Sequence, residues 1–258
     1  MHTDLFSPEY AKESWWNRFH VWCAKCVLPR ADSVRVVSAR VRDGVIAHTS
    51  VSPQKVVVLP IAVDVEKVNL AIPTKLFTDT YPMFRQVVLV ASRLTREKEI
   101  DTIVRAFARS VAEEPTLGLV IVGDGPEKEH LVLLAHALGV SDRVAFEAWR
   151  NDIPSLMKSV TLYVATSRYE GYGLTLVEAA VAHCPIVTTD VGIVGDVLSR
   201  DMVSVVPHRD VVAVAKAIIK IVRDREYREK MVERAYSVTQ KLPTYEAYLD
   251  AVRRAWRV

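Results

Sequence analysis

The residues Ser167-Arg168-Tyr169-Glu170-Gly171-Tyr172-Gly173-Leu174-Thr175-Leu176-Val177-Glu178 decide how this chain reads. Before them, Leu162-Tyr163-Val164-Ala165-Thr166 is an apolar run of strand length. After them, Leu174 to Ala182 is apolar and helix-forming, with Glu178 its only charge. A strand thus delivers the chain to a tight loop, and a helix leaves it. Gly171 and Gly173 sit in that loop, where the missing Cβ permits positive φ and close approach of a ligand to the backbone. The first N–H groups of the new helix lack intrahelical partners, and its dipole favours an anion there. Glu170 and Glu178 bracket this anion site. Carboxylates repel a bare phosphate but suit sugar hydroxyls, which are donors in need of strong acceptors. Both features together fit a nucleotide sugar. Taken singly, Glu170 reads equally as a solvated loop residue and Glu178 as an exposed helix position. A charge inside so apolar a helix, however, calls for a partner or a ligand.

The rest of the composition narrows the class. The chain has 258 residues, half of them apolar and a quarter charged, as in a globular protein of one or two domains. A net charge of +3 is too small to argue for nucleic acid. No apolar run is long enough to span a bilayer, and the N-terminus lacks the basic-then-apolar pattern of a secretion signal. Cys23, Cys26 and Cys184 form no disulfide framework, so a reducing cytoplasm is the expected compartment. The Cys23-Ala24-Lys25-Cys26 spacing stands alone in a helical pattern, without a second pair that a metal or redox role would need. His130, His136 and His208 are isolated. No His/Asp/Glu cluster has metal spacing, and no Gly-x-Ser-x-Gly or Cys/His nucleophile arrangement is present.

Residues 1–30 turn from polar to helical, with Trp15, Trp16, Phe19 and Trp22 forming an aromatic stripe. The stripe reads either as a face packed on a neighbouring domain or as one lying on a membrane surface, a peripheral contact at the inner face. Val34 to Ser38 reads as a strand, 39–49 as a helix and Lys55 to Leu59 as another strand. These elements are too few to close a doubly wound domain, so the expectation is the tail of a domain. Residues 1–62 carry eight Lys/Arg against five Asp/Glu, a mild basic bias. Residues 63–85, with Pro73, Pro82 and no clear period, read as a linker.

From residue 86 the pattern becomes regular. Strands are expected at Val87–Ala91, Gly118–Val122, Arg143–Glu147, Leu162–Thr166, Pro185–Thr189 and Met202–Val206. Helices are expected near 98–112, 127–138, 152–159, 174–182 and 193–199, then at 210–222, 225–240 and 244–257. Continuous apolar strands alternating with helices indicate an α/β fold, a Rossmann-like doubly wound parallel sheet covered on both faces. Such sheets bind ligands at the carboxyl ends of their strands. After the first strand stand Arg93 and Lys98, a fork and a point charge suited to pyrophosphate, or else surface cations. After the second, Gly123-Asp124-Gly125-Pro126 resembles half of a dinucleotide fingerprint, in which Asp124 equally reads as a helix cap. After the third, Trp149 and Arg150 stand where a base could sit, with Asp152 before Pro154 as a cap. After the fifth, Thr188 to Asp196 supplies another glycine loop.

Taken together, Ser-Arg-Leu-(x)3-Lys, Gly-Asp-Gly-Pro, the Ser167–Glu178 stretch and Thr-Asp-Val-Gly resemble glycosyltransferase family 4 of group 1, retaining enzymes of GT-B fold. The two glutamates with seven residues between them form that family's signature. The resemblance covers roughly 31–258, most strongly 86–200. It implies a donor-binding domain at 86–240, a remnant of the N-terminal acceptor domain at 1–62 and a helix crossing back at 241–258. It further implies that Glu178 holds ribose hydroxyls, that Glu170 and the loop Gly171-Tyr172-Gly173-Leu174 meet sugar and phosphates, and that Arg93 and Lys98 neutralise the departing diphosphate. Fixed cations and amides give such help without a metal. Met1-His2-Thr3-Asp4 resembles the segment carrying an active-site His, which makes His2 a candidate.

The expected donor is a UDP-, GDP- or ADP-sugar, with no further cofactor, and the acceptor a saccharide or lipid-linked group. A separate N-terminal partner domain would complete the cleft. Three departures stand out: Glu99 where a Gly usually follows the Lys, Ile61-Ala62 where Asn-Gly is usual, and His183 where Gly is common. The rival readings are a binding module without turnover and a nucleotide-sugar epimerase of the same architecture.

Overall fold

The computed structural model describes Met1 and residues 3–255, with Thr78 by its backbone alone. The chain opens with α1 (Pro8–Glu13) and α2 (Trp15–Val27), followed by β1 (Val34–Val36), α3 (Ala39–His48) and β2 (Val56–Val58). β1 and β2 form a two-stranded parallel sheet, Val34 opposite Val56. Next come α4 (Val65–Leu70) and α5 (Leu76–Thr80). Then β3 (Gln86–Ala91), α6 (Ile100–Glu113), β4 (Leu117–Val122), α7 (Lys128–Ala137), β5 (Val144–Glu147) and α8 (Ile153–Met157) alternate. The alternation continues with β6 (Leu162–Ala165), α9 (Leu174–Val181), β7 (Ile186–Thr188) and β8 (Ser204–Val205), and closes with α10 (Val211–Arg223), α11 (Arg225–Thr239) and α12 (Tyr245–Ala255).

The large sheet is parallel throughout, in the order β5-β4-β3-β6-β7-β8. Its strands fall where the apolar runs place them, and the reason is visible in the burial. Along β3, Val87, Leu89 and Ala91 enter one core while Val88 and Val90 enter the other. Along β4, Val120 and Val122 join the first, Leu119 and Ile121 the second. Successive side chains point to opposite faces. With both faces covered, neither set can be polar, hence the unbroken apolar runs. α9 closes the first face and α6 with α10 the second.

The chain winds outward from β3 through β4 to β5, then returns to the other side of β3 with β6. The connections leaving β3 and β6 therefore diverge. A crevice opens between them at the carboxyl edge, the place where open α/β sheets take ligands.

Two expectations need correction. Residues 63–85 are not a featureless linker. Asp64 Oδ1 accepts from Lys67 N at 2.8 Å and starts α4, and α5 buries Phe77. Each helix is too short to show a full apolar period. Conversely, 193–199 is no helix but a run of turns. Gly192 and Gly195 take φ of 57° and 84°, and Gly195 N bonds Leu198 O at 2.8 Å, breaking any i to i−4 ladder.

At the chain's end, Arg35 Nη2 on β1 donates to Tyr248 Oη on α12 at 2.7 Å. Residues 256–258, the end of the expected final helix, lie outside the described residues.

Candidate functional site

The loop after β3 and the loop after β6 face each other across the crevice and are sewn together. Thr166 Oγ1 donates to Glu99 O at 3.0 Å, and Arg168 N donates to Glu97 O at 2.8 Å. This seam brings Lys98 and Glu170 together, with Nζ 2.5 Å from Oε1, and Ser167 Oγ donates to the same oxygen at 2.8 Å. Arg93 stands further out, its side chain 71 % exposed and 3.7 Å from Glu97.

A cavity of about 280 Å³ lies over these groups, lined by Arg93, Lys98, Trp149, Glu170, Gly173 and Leu174 among others. Gly173 is the N-cap of α9 in a left-handed conformation with φ 88°, and no side chain caps the helix. The first amides of α9 therefore lack intrahelical partners at the cavity wall, where an anion is favoured. Beneath them, buried Tyr163 donates from its hydroxyl to Thr175 Oγ1 at 2.9 Å, and burial pushes its pKa far up, so the phenol stays neutral.

A second cavity of about 310 Å³ adjoins the first, sharing Ala91, Ser92, Trp149, Leu174 and Thr175 with it. Glu178 faces this one, opposite Asp64 and Lys67 of α4 and beside Trp149 and Arg150. Burial raises the Glu178 carboxyl above its usual range, and the Lys67 charge opposes that shift. Among the described residues, the Glu178 carboxylate makes no hydrogen bond or ion pair. A half-buried carboxylate without a partner carries a desolvation cost, and this one lines a cavity of about 310 Å³. Arg150 is already committed: it donates to Asp152 at 2.8 and 2.7 Å, holding that carboxyl below its usual range.

Other expected site residues lie elsewhere. Gly125 lines neither cavity. A Cβ there would stand 2.4 Å from Leu94 O, and its N–H donates to Asp124 Oδ1 at 2.9 Å. The Gly-Asp-Gly turn thus lets two loops meet backbone to backbone. Gly171 and Tyr172 also sit behind the cavity walls. Gly171 O accepts from Ser38 Oγ at 2.8 Å, and Tyr172 O from Ile193 N at 3.0 Å. They hold the loop in place. A Cβ on Gly192, at φ 57°, would come 2.2 Å from Tyr172 O. Gly192→Ala is therefore expected to cost about 1–3 kcal/mol through backbone strain and displacement of this support, and an unchanged denaturation midpoint would contradict it. His2 lies outside the described residues.

Sequence reasoning missed Lys67, Ser38 and the part played by Glu99. Lys67 is brought in by a short helix; the Val63-Asp64 start before it was the available signal. Glu99 is buried to 3 % exposure and left-handed, with φ 47°. Its carboxylate gathers Arg168 Nε at 2.5 Å and Arg209 Nε at 2.7 Å. His208 Nδ1 lies 2.5 Å from the other oxygen, off the angle that a hydrogen bond needs. His183 is left-handed too, with φ 55°. At these two of the three positions where glycine is usual in the resembled family, the backbone takes a conformation that glycine adopts without strain.

Among the described residues, no group of three or more His, Cys, Asp or Glu could hold a metal ion.

Comparison with known proteins places this arrangement. The Anabaena Alr3699/HepE structure in complex with UDP-glucose superposes with a TM-score of 0.84 at 21 % identity, covering 98 % of this chain and 70 % of that one. The lipopolysaccharide core biosynthesis glycosyltransferase LpsE of Rhizobium meliloti (strain 1021) is 30 % identical over 171 residues, 66 % of this chain and 49 % of its own length. The alpha-D-kanosaminyltransferase of Streptomyces kanamyceticus is 32 % identical over 154 residues, 58 % of this chain and 40 % of its length. The chain thus spans half or less of the curated relatives it matches. The sequence profile of glycosyl transferases group 1 matches residues 80–238, more than half of the chain. The six-stranded parallel sheet and its crevice are those of a GT-B half, and the chain belongs to the group 1 glycosyl transferases.

Proposed function

We propose that the joined cavities bind a nucleoside-diphosphate sugar, and that the chain serves transfer of that sugar to an acceptor with its anomeric configuration retained. The observation that carries this reading is Glu178: a half-buried carboxylate without a protein partner, lining a cavity that adjoins the one holding Lys98, Glu170 and the start of α9. Ribose hydroxyls donating to Glu178 would offset its desolvation. The base lies against Trp149, whose ring is 64 % exposed. The diphosphate meets the first amides of α9, Lys98 and Arg93, which stabilise the charge that develops as it departs. Lys98 exchanges Glu170 for phosphate, leaving Glu170 towards the transferred sugar. Retention is what the resemblance of the Ser167–Glu178 stretch to the retaining enzymes of family 4 implies.

Residues 1–62 form the acceptor side in this proposal and 86–240 the donor side, with α4 bridging them at Glu178. The acceptor is a saccharide or lipid-linked group. The UDP-glucose held by the Anabaena relative makes uracil the first base to try.

The test is a thermal-shift panel of UDP-, GDP- and ADP-sugars. A ligand present at about 100 times its Kd stabilises the folded state by roughly 2.7 kcal/mol. One base class is expected to raise the Tm by several degrees. No response to any of the three would overturn the reading.

A further inference from the structure

Helix α2 carries a surface that the donor groove does not use. Trp15, Trp16, Phe19 and Trp22 are 59, 54, 46 and 61 % exposed, and Val27 is 63 % exposed. Their rings touch in a row, with centroids 3.9 Å apart for Trp15 and Trp16, 6.2 Å for Trp16 and Phe19, and 5.8 Å for Phe19 and Trp22. The helix is already anchored through its other side, where Val21, Ala24 and Leu28 pack on the core. At 100° per residue those three lie opposite the aromatic row. Among the described residues nothing covers the ladder, and four large rings exposed in one row mark a contact surface.

The charges around it select the partner. Arg18 and Lys25 are exposed on the same helix and Arg30 in the turn after it, and no Asp or Glu occurs from Ser14 to Ala31. Lys55 adds a further cation at the end, its Nζ donating to Ala31 O at 3.0 Å. Neither Arg18 nor Lys25 makes an ion pair among the described residues. Pairing with a second copy through this face would set these cations against their own equivalents with no acid to answer them. An anionic lipid surface answers both features at once. Its headgroups meet the cations, and its interfacial layer takes tryptophan rings, which are apolar in body and polar at the N–H.

We propose that the aromatic face of α2 lies on a bilayer containing anionic phospholipid. Among the described residues no helix is long and apolar enough to cross a membrane, so this contact is interfacial. It does not depend on the donor reading.

Co-sedimentation of the protein with phosphatidylcholine vesicles, with and without phosphatidylglycerol, tests it. The protein is expected to sediment with the anionic vesicles and to be released as salt is raised. Trp16→Glu with Trp22→Glu is expected to abolish sedimentation. Arg18→Ala with Lys25→Ala is expected to weaken it roughly 30-fold, at about 1 kcal/mol per cation lost near the surface. All four side chains are exposed, so circular dichroism and the melting temperature of the variants should match the parent, which separates lost binding from lost folding. Failure to sediment with anionic vesicles overturns the proposal, as does equal sedimentation of the tryptophan variant. A concentration-dependent dimer that the tryptophan variant abolishes, with no vesicle binding by the parent, would assign the face to a second copy instead.

Discussion

Glu178→Gln is expected to weaken donor binding severely while making the protein more stable at neutral pH. Both effects follow from one carboxylate. In the folded chain burial raises its pKa above the reference value of 4.5. The folded state therefore keeps this proton to higher pH than the unfolded chain does. Stability contributed by the group is greatest at low pH and is lost as pH rises through the raised value. At pH 7 the ionised side chain is a net cost to the fold. Gln removes that charge at nearly constant shape, so its Tm should exceed that of the parent at pH 7, with the gap closing as the pH falls towards 4.5. The donor loses what the fold gains. A hydrogen bond to a charged group contributes roughly 1.5–3 kcal/mol, so losing the pair to two ribose hydroxyls, as in Glu178→Ala, should cost about 100-fold or more in Kd. Stability and function pulling in opposite directions is the mark of a residue kept for binding. A Gln variant that is less stable at pH 7, or an Ala variant that binds donor normally, would contradict this assignment.

Glu99→Gly is expected to move stability the other way. The substitution restores a residue that tolerates φ 47°, a gain of about 1 kcal/mol. It also strips Arg168, Arg209 and His208 of the buried carboxylate that gathers them. Removing one partner of a buried ion pair costs roughly 3–5 kcal/mol. The low end applies here, because Arg209 is 59 % exposed and solvent can take over its charge. The net is a loss of about 2 kcal/mol, or a Tm lowered by roughly 4–8 °C. Because Thr166 Oγ1 ties the β6 loop to Glu99 O and Lys98 is its neighbour, donor affinity should fall as well. A more stable Glu99→Gly protein would mean that backbone strain, not the cation cluster, dominates at this position.

The parallel sheet was legible because each strand is buried on both faces and so reads as an unbroken apolar run, as β4 does from Leu117 to Val122. Helices were legible where they are long enough to repeat. α4 and α5 are not, being six and five residues long, and 193–199 reads as a helix only because its apolar residues hide the turns that Gly192 and Gly195 make. At the site, Glu178 was legible as a charge within an apolar helix, and Lys98 and Arg93 as cations after a strand. What sequence did not reveal is which glycines line the cavities and which meet another segment. Gly125 abuts Leu94 O, Gly171 O accepts from Ser38 Oγ, and neither lines the two cavities. The Lys67 wall and the Glu99 cluster depend on packing between segments far apart in the chain, which leaves no local spacing to read.

The groove at the β3–β6 switch point is predicted to take a nucleoside diphosphate between Glu178 and Lys98. A crystal structure of the chain with the nucleoside diphosphate that gives the largest thermal shift tests it most directly. The ribose hydroxyls are predicted to bond the Glu178 carboxylate, with the diphosphate at the first amides of α9 and Lys98 turned from Glu170 to phosphate. A nucleotide bound elsewhere, or one bound in the groove with the Lys98–Glu170 pair intact and Glu178 still without a partner, would contradict the account.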